Sequence, residues 1–142
     1  IYGGGDLNWE RLIPGVIKWL LQDEVPVLRS DGSYIRDWVY VDDVVMAYIE
    51  VGKKLYEKKV SHSSYNFSSQ DNFSVDYVYR KICELIKGEY IEPSYSISSS
   101  KEIPSQYLDS SLIQEDLNVV AKVNLDEGLE KTITWYREFL KL

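Results

Sequence analysis

One run of the sequence, residues 30–43, constrains the fold most, because it carries signals for a turn, a strand and a helix start in succession. Asp31-Gly32 is a turn dipeptide, and residues 35–41 are rich in β-branched and aromatic side chains. Asp42-Asp43 then precedes an apolar pattern of helical period, which is typical of a helix N-cap. The run therefore predicts a strand that leads directly into a helix.

Arg36 is unusual inside such a strand, because a half-buried guanidinium needs an anionic partner. Asp37, the next residue, could supply that partner as an internal ion pair. A ligand phosphate could equally be held by the planar guanidinium fork. The residues alone leave both interpretations open.

Composition limits the classes of partner. The chain has 142 residues, of which 44% are hydrophobic, enough for one domain with its own core. A net charge of -7 argues against nucleic acid and anionic membrane surfaces, which attract clustered Lys and Arg. Cys83 is the only cysteine, so an internal disulfide is excluded and we expect a cytoplasmic protein. No apolar run reaches the roughly 18 residues that suggest a membrane helix.

Motifs for a complete active site are missing. The glycine run at residues 3–5 lacks the spacing of a dinucleotide-binding loop, and we interpret it as a flexible turn. His62 is the only histidine and stands in a polar segment, so we expect an ordinary loop residue and no metal site. We therefore expect no catalytic residue and no metal ligand in this chain.

Apolar periodicity predicts the remaining elements. Helices are expected over 12–22 after an Asn8 cap, from Asp42 onward, and from Ser74 to a Gly88 C-cap. A short helix is expected after Asp109 or Ser110 and through Leu117, and the last helix from an Asn124 and Glu127 capping box to about Leu140. Residues 65–67 are expected to form a short strand, residues 91–100 an extended segment and residues 103–109 a loop.

Several runs together resemble a known family. YGGGDLN (residues 2–8), RLIPG (11–15) and IRDWVYVDD (35–43) look like the C-terminal half of extended short-chain dehydrogenase/reductases acting on sugar nucleotides. YNFS (65–68) and QYLD (106–109) continue the resemblance. The GGGDLN and IPG runs are most similar to CDP-glucose 4,6-dehydratases. Residues 117–122 depart from the family, which usually has Leu-Gly-Trp there.

The resemblance implies an α/β fold with helices and a few short strands, as the C-terminal fragment of an extended Rossmann-type enzyme. Residues 1–142 would form a single substrate-binding lobe with the last Rossmann edge elements. The family's NAD-binding domain, with its catalytic residues, would precede Ile1, so the chain looks cut from a longer protein. NAD would belong to the full-length parent, and we expect no cofactor for this segment alone.

The resemblance also implies substrate-binding roles. Arg36 would hold the substrate pyrophosphate, with Arg11 near the nucleotide or phosphate and Asn66 near the phosphates. Weaker candidates for the nucleotide end are Arg29, Gln106 and Tyr107.

The function implied is the sugar-nucleotide-binding portion of an NAD-dependent nucleotide-sugar 4,6-dehydratase, a lyase that converts CDP-glucose to CDP-4-keto-6-deoxyglucose. Two alternatives remain: a portion of a nucleotide-sugar 4-epimerase, or a stand-alone, non-catalytic binding or assembly module. The expected partners are a nucleotide sugar, with CDP-glucose favoured, the preceding Rossmann domain and a second copy through a bared sheet edge. Nucleic acid and membrane are not expected partners.

Overall fold

The structure is a computed structural model that describes residues 1–96 and 103–142. The described residues form five helices and five short strands. In chain order they are α1 (Leu12–Leu21), β1 (Val27–Leu28), β2 (Ile35–Asp37), α2 (Val41–Tyr56), β3 (Asn72–Ser74), α3 (Val75–Lys87), β4 (Ser94–Tyr95), β5 (Ser105–Gln106), α4 (Ser111–Leu117) and α5 (Leu125–Leu140). This confirms the predicted α/β class with helices and few strands.

The strands form two small sheets. β1 pairs with β4 in parallel, with Val27 opposite Ser94. In the second sheet, β2 lies between antiparallel β3 and parallel β5. Arg36 of β2 consequently stands opposite Phe73 on one side and Gln106 on the other.

The extended run after β2 joins a different partner. Tyr2 N donates to Val39 O at 2.9 Å, and Val41 N donates to Tyr2 O at 2.8 Å. These bonds form an isolated parallel bridge between Tyr2 and Tyr40. The predicted strand over 35–41 is therefore too long, because its second half leaves the β3-β2-β5 sheet to pair with the start of the chain.

The main core lies between α1, α3 and α5, whose apolar faces meet as their helical periodicity predicts. Val16 and Ile17 of α1, Val78 and Ile82 of α3 and Leu129 of α5 are fully buried. A smaller cluster packs α4 against α2 through Ala47, Ile113, Leu117 and Val119. The small cluster is the only part of the described core that borders the C-terminal half of α2.

Several predicted helix ends are confirmed. Ser74 Oγ accepts from Tyr77 N at 3.1 Å and caps α3, which ends at Gly88 with φ 75°. Asn124 Oδ1 accepts from Glu127 N at 3.0 Å at the start of α5. In each case the side chain satisfies a backbone N–H that the first helical turn leaves without an intrahelical acceptor.

Two predicted N-caps are wrong, although α1 begins at Leu12 as predicted. Asn8 does not cap α1, and its Oδ1 instead accepts from Glu10 N at 3.1 Å. α2 begins after Tyr40, so Asp42-Asp43 lies inside the first turn, where carboxylates favour the positive end of the helix dipole. Asp43 is buried and accepts from Lys122 N and Val123 N, so it anchors the segment before α5.

Strand predictions at two further places are also corrected. Residues 65–67 form no strand in the described structure, and β5 occupies part of the predicted 103–109 loop. The predicted extended segment over 91–100 contains β4, and its residues 97–100 lie outside the described part of the chain. At the α4 start, Asp109 Oδ1 accepts from Ser111 N at 2.9 Å while Ser110 holds the N-cap position. Among the described residues, no helix has the length and apolar character needed to cross a membrane.

Candidate functional site

The turn at Asp31-Gly32 sets where β2 begins. Asp31 Oδ1 accepts from Ser33 N at 2.9 Å and from Ser33 Oγ at 2.6 Å, which lowers the pKa of the Asp31 carboxyl. Gly32 has φ 82°, and a Cβ on it would press against Asp76 at the start of α3. A residue with a side chain would be strained there, so glycine allows the turn to pack closely on α3.

Arg36 is fixed in its strand by carbonyl groups. Its Nη1 donates to Ile35 O at 2.8 Å and to Ile103 O at 2.9 Å. Its guanidinium carbon lies 5.3 Å from the centre of the Tyr34 ring, within cation–π range. These contacts fix the orientation of the planar guanidinium fork.

The Asp37 carboxylate does not make the internal pair considered from the sequence. Its Oδ1 accepts from Ser69 Oγ at 3.4 Å. Its Oδ2 is buried and has no hydrogen-bond partner among the described residues. Ser69 Oγ is also 2.7 Å from Trp38 O, so Asp37 receives at most a weak bond from it.

Three of the predicted substrate-binding arginines line one cavity of about 400 Å³, called here the arginine cavity. They are Arg11 at the start of α1, Arg29 after β1 and Arg36 of β2. Trp9 and Trp38 also line it. Arg11 Nη1 lies 3.0 Å from Asp6 Oδ2, and Arg29 pairs with Glu10, so both of these arginines have acidic neighbours.

Arg36 also lines a second cavity of about 630 Å³, called here the α2 cavity. Gln106 and Tyr107 line it with Arg36, because the β2–β5 pairing brings β5 to this side. Its other walls are largely apolar and come from α2, the segment after α2 and α4, including Ala47, Val51, Val60, Phe67 and Ile113. Arg36 is thus the predicted residue common to both cavities.

The structure does not bring all six predicted residues together. Arg29 and the pair Gln106 and Tyr107 line different cavities, although the resemblance assigns all three to the nucleotide end. Asn66 is exposed and lines neither cavity. Its predicted phosphate contact therefore stays a prediction.

One polar cluster beside the α2 cavity was missed from the sequence. Asp116 of α4 accepts from Ser61 Oγ at 2.9 Å and from the Tyr65 hydroxyl, and His62 Nδ1 lies 3.3 Å from its Oδ2. His62, which was expected to be an ordinary loop residue, therefore has a carboxylate partner. Burial and the bond to Asp116 raise the Tyr65 pKa. No sequence signal distinguishes Asp116 from the other acids of its helix, because its partners lie more than 50 residues away.

We expected no Tyr-x-x-x-Lys arrangement in this chain, and that expectation is wrong, because Tyr77 and Lys81 of α3 have this spacing. Lys81 Nζ lies 6.0 Å from the centre of the Tyr77 ring and 3.3 Å from Asp126 Oδ2. The Tyr77 ring stacks on Phe73 at 4.5 Å. Neither side chain lines either cavity, so this pair stabilises the α3 surface and is not aimed at the candidate site.

Residues 1–67 match the NAD dependent epimerase/dehydratase family. Over 138 residues, the chain is 28% identical to the dTDP-glucose 4,6-dehydratase of Escherichia coli, a match that covers 89% of this chain and 37% of that enzyme. The match therefore extends well beyond residue 67.

Two solved structures have the same fold. The UDP-glucose 4-epimerase of Thermotoga maritima, solved with UDP-glucose, is 27% identical with a TM-score of 0.85 and covers 98% of this chain and 44% of that one. The dTDP-glucose 4,6-dehydratase of Bacillus anthracis, solved with NAD, is 22% identical with a TM-score of 0.81 and covers 96% and 42%. The chain spans less than half of the length of each of these three proteins. It has the α/β fold of extended Rossmann-type epimerases and dehydratases, and its homologues are nucleotide-sugar dehydratases and epimerases.

Proposed function

We propose that this chain is the nucleotide-sugar-binding portion of an NAD-dependent nucleotide-sugar 4,6-dehydratase, and that Arg36 holds the diphosphate. The observation that carries the proposal is that Arg36 lines both the arginine cavity and the α2 cavity. A guanidinium fork matches the paired oxygens of a phosphate. A diphosphate links a nucleoside to a sugar, so one group at the junction can hold the middle of a ligand whose ends enter two cavities.

The two cavities differ in a way that suits the two ends. The arginine cavity offers the indole rings of Trp9 and Trp38, and aromatic rings stack on nucleobases. The α2 cavity offers Gln106 and Tyr107 as hydrogen-bonding groups, together with the polar side chains of Ser63 and Ser64. We assign the nucleoside to the first cavity and the sugar to the second, which moves Gln106 and Tyr107 from the nucleotide end to the sugar end.

The glycine run does not fit a role in holding the NAD pyrophosphate. A Cβ on Gly3 would overlap the Val41 side chain, and a Cβ on Gly4 would overlap Trp135 of α5. These glycines therefore allow close packing against the lobe's own side chains. We place NAD, which would accept and return a hydride, on a Rossmann half contributed by the rest of the whole protein.

The exposed face of α2 supports such a neighbouring half. Val45 and Ile49, one helical turn apart, are 48% and 43% exposed and line neither cavity. Exposed apolar residues on a face that does not contact the helix's own core are typical of a helix that is covered by a partner. The parallel bridge between Tyr2 and Tyr40 lies next to α2 and offers a sheet edge to the same neighbour.

A 4,6-dehydratase and a 4-epimerase would both use this lobe to bind and orient the sugar. The resemblance to the E. coli dehydratase supports the first, and the resemblance to the T. maritima epimerase supports the second. The preference for CDP-glucose rests on the GGGDLN and IPG runs. The epimerase portion is our second candidate.

Calorimetric titration of the whole protein with CDP-glucose, dTDP-glucose and UDP-glucose tests the proposal. We expect Arg36→Ala to weaken binding of the preferred ligand by about 2–5 kcal/mol, since it removes a charge-assisted contact. Arg137→Ala is the matched control, because Arg137 is exposed on α5 and lines neither cavity. Unchanged affinity in Arg36→Ala would refute the phosphate role. Micromolar binding by the 142-residue chain alone would favour an autonomous binding module.

A further inference from the structure

The Asp116 carboxylate collects hydrogen bonds from one short segment, residues 61–65. Ser61 N and Ser61 Oγ donate to its two oxygens at 3.3 Å and 2.9 Å. The Tyr65 hydroxyl donates to Oδ2, and His62 Nδ1 lies 3.3 Å from the same oxygen. A single side chain therefore contacts both ends of the segment.

The same segment forms part of the α2 cavity wall. His62, Ser63, Ser64 and Tyr65 all line the cavity, whereas Asp116 does not. Asp116 can therefore affect a ligand there only through the shape and position of the segment. Ser63 and Ser64, which lie between its two attachment points, carry hydroxyls that could hydrogen-bond to a sugar.

Apolar packing alone leaves this wall weakly specified. The small cluster contacts the segment mainly through Tyr65, with Val60 and Phe67 on either side. Apolar contacts are not directional, whereas hydrogen bonds to a carboxylate define where their donors stand. Asp116 therefore contributes directional contacts that orient the segment, in addition to the bond from His62 N to the Tyr65 hydroxyl within it.

Asp116 is well suited to this role across the neutral range. The Tyr65 hydroxyl lowers its pKa to about 2, with further lowering by the Ser61 hydroxyl and His62, against a smaller opposing effect of burial. The carboxylate therefore remains ionised and acts as an acceptor for all its donors. His62 and Tyr65 are the titratable groups that face it.

We propose that Asp116 is a positioning residue that holds residues 61–65 as the sugar-facing wall of the α2 cavity, and that it selects for the sugar of a nucleotide sugar without contributing to binding of the nucleoside diphosphate. The selection rests on the proposed function. The hold on the segment does not, and it can be measured without a ligand.

Amide hydrogen exchange on the ligand-free whole protein tests the hold. We expect Asp116→Ala to speed exchange at Ser61 and His62 by about tenfold or more, because local opening no longer breaks bonds to a carboxylate. Asp116→Asn should give a smaller increase, since an amide keeps one acceptor oxygen. Glu115→Gln is the control, because it removes the same charge from an exposed neighbour on α4. Exchange unchanged in both Asp116 variants, or raised equally in α3 and α5, would overturn the hold.

Paired titrations with CDP-glucose and CDP test the selection. We expect Asp116→Ala to weaken CDP-glucose binding by about tenfold while CDP affinity stays within a factor of two. Equal weakening of both ligands, or of neither, would overturn it. If the wild-type protein prefers dTDP-glucose or UDP-glucose, the same comparison is made with that sugar nucleotide and with dTDP or UDP. If it binds none of the three sugar nucleotides, the proposed function fails together with the selection, and the exchange result still decides whether Asp116 holds the segment.

Discussion

Arg36 and Gln106 stand opposite each other in the parallel pairing of β2 with β5. They are 70 positions apart in the sequence and were predicted separately as binding residues. Their pairing puts an arginine fork and an amide on one wall of the α2 cavity, while the arginine continues into the arginine cavity. A change at either residue should therefore affect one bound ligand.

Arg36→Lys distinguishes charge from geometry at this position. Lysine keeps the positive charge but has a single ammonium in place of the planar fork, so it cannot form two parallel bonds to a phosphate. We expect nucleotide-sugar affinity to fall by about 1–3 kcal/mol, less than in Arg36→Ala. Calorimetry on the whole protein measures the affinities of wild type, Arg36→Lys and Arg36→Ala. If Arg36→Lys binds the nucleotide sugar as tightly as wild type, the planar fork does not contribute to binding.

Gly128→Ala should destabilise the chain by about 1–3 kcal/mol, because it inserts a methyl group into a packed interior. The new Cβ would overlap the ring and hydroxyl of Tyr2. Gly52→Ala in α2 is the control, since nothing lies within 4 Å of its added Cβ. That control should stabilise by up to about 1 kcal/mol through helix propensity. Urea unfolding of the 142-residue chain compares them, and effects of the same sign would contradict the packing argument.

Ser74→Ala should lower the free energy of unfolding by about 1 kcal/mol, because Tyr77 N loses its capping acceptor. Ser74→Asp should restore most of the loss, since aspartate also caps and carries the charge that the helix dipole favours. Thermal unfolding of the three proteins provides the measurement. A stable alanine variant would show that β3 pairing alone sets the start of α3.

Asp71→Asn should stabilise the protein at neutral pH and not in acid. Burial raises the Asp71 pKa above its ordinary value of 3.8, helped by the charges of Asp37 and Asp126 and opposed by a hydrogen bond from the Leu125 backbone. The native state therefore binds the proton more tightly than the unfolded state, so its advantage is present below pH 3.8 and is lost as pH rises through the native pKa. Asparagine cannot ionise, so the variant does not lose this stability as pH rises. Urea midpoints at several pH values should diverge in favour of the variant as pH rises.

Asp31→Asn provides the opposite case. Bonds from Ser33 lower the Asp31 pKa, so its contribution to stability is present above pH 3.8 and is lost as pH falls through the native pKa. The asparagine variant should be less stable than wild type at neutral pH and equal to it in acid. If the stability difference from wild type changed with pH in the same direction for both variants, the Asp71 effect would not be specific to its buried site.

Local signals predicted what local chemistry controls. Ser74, Gly88 and Asn124 occupy their predicted cap positions, because each cap is decided within one helical turn. The amphipathic faces of α1, α3 and α5 were likewise readable from periodicity. The strand over residues 35–41 was predicted too long, since only tertiary structure reveals that Val39 pairs with Tyr2 and not with the sheet that contains β2.

The site was harder to predict for the same reason. The resemblance identified Arg11, Arg29 and Arg36, which line one cavity. It did not separate Arg29 from Gln106, and it gave no indication of Asp116, because a carboxylate on a short helix looks solvated until its distant donors are placed. Asp43 likewise reads as a helix cap, yet it binds backbone about 80 residues away.

The extended run from Arg36 to Tyr40 also couples ligand and scaffold mechanically. Extended backbone advances about 3.3 Å per residue and has little slack. A phosphate that displaced Arg36 would also displace Val39 and Val41, and these two residues hold Tyr2 by hydrogen bonds. Tyr2 packs against Gly128 of α5, so binding in the cavities would change how this buried tyrosine packs in the main core.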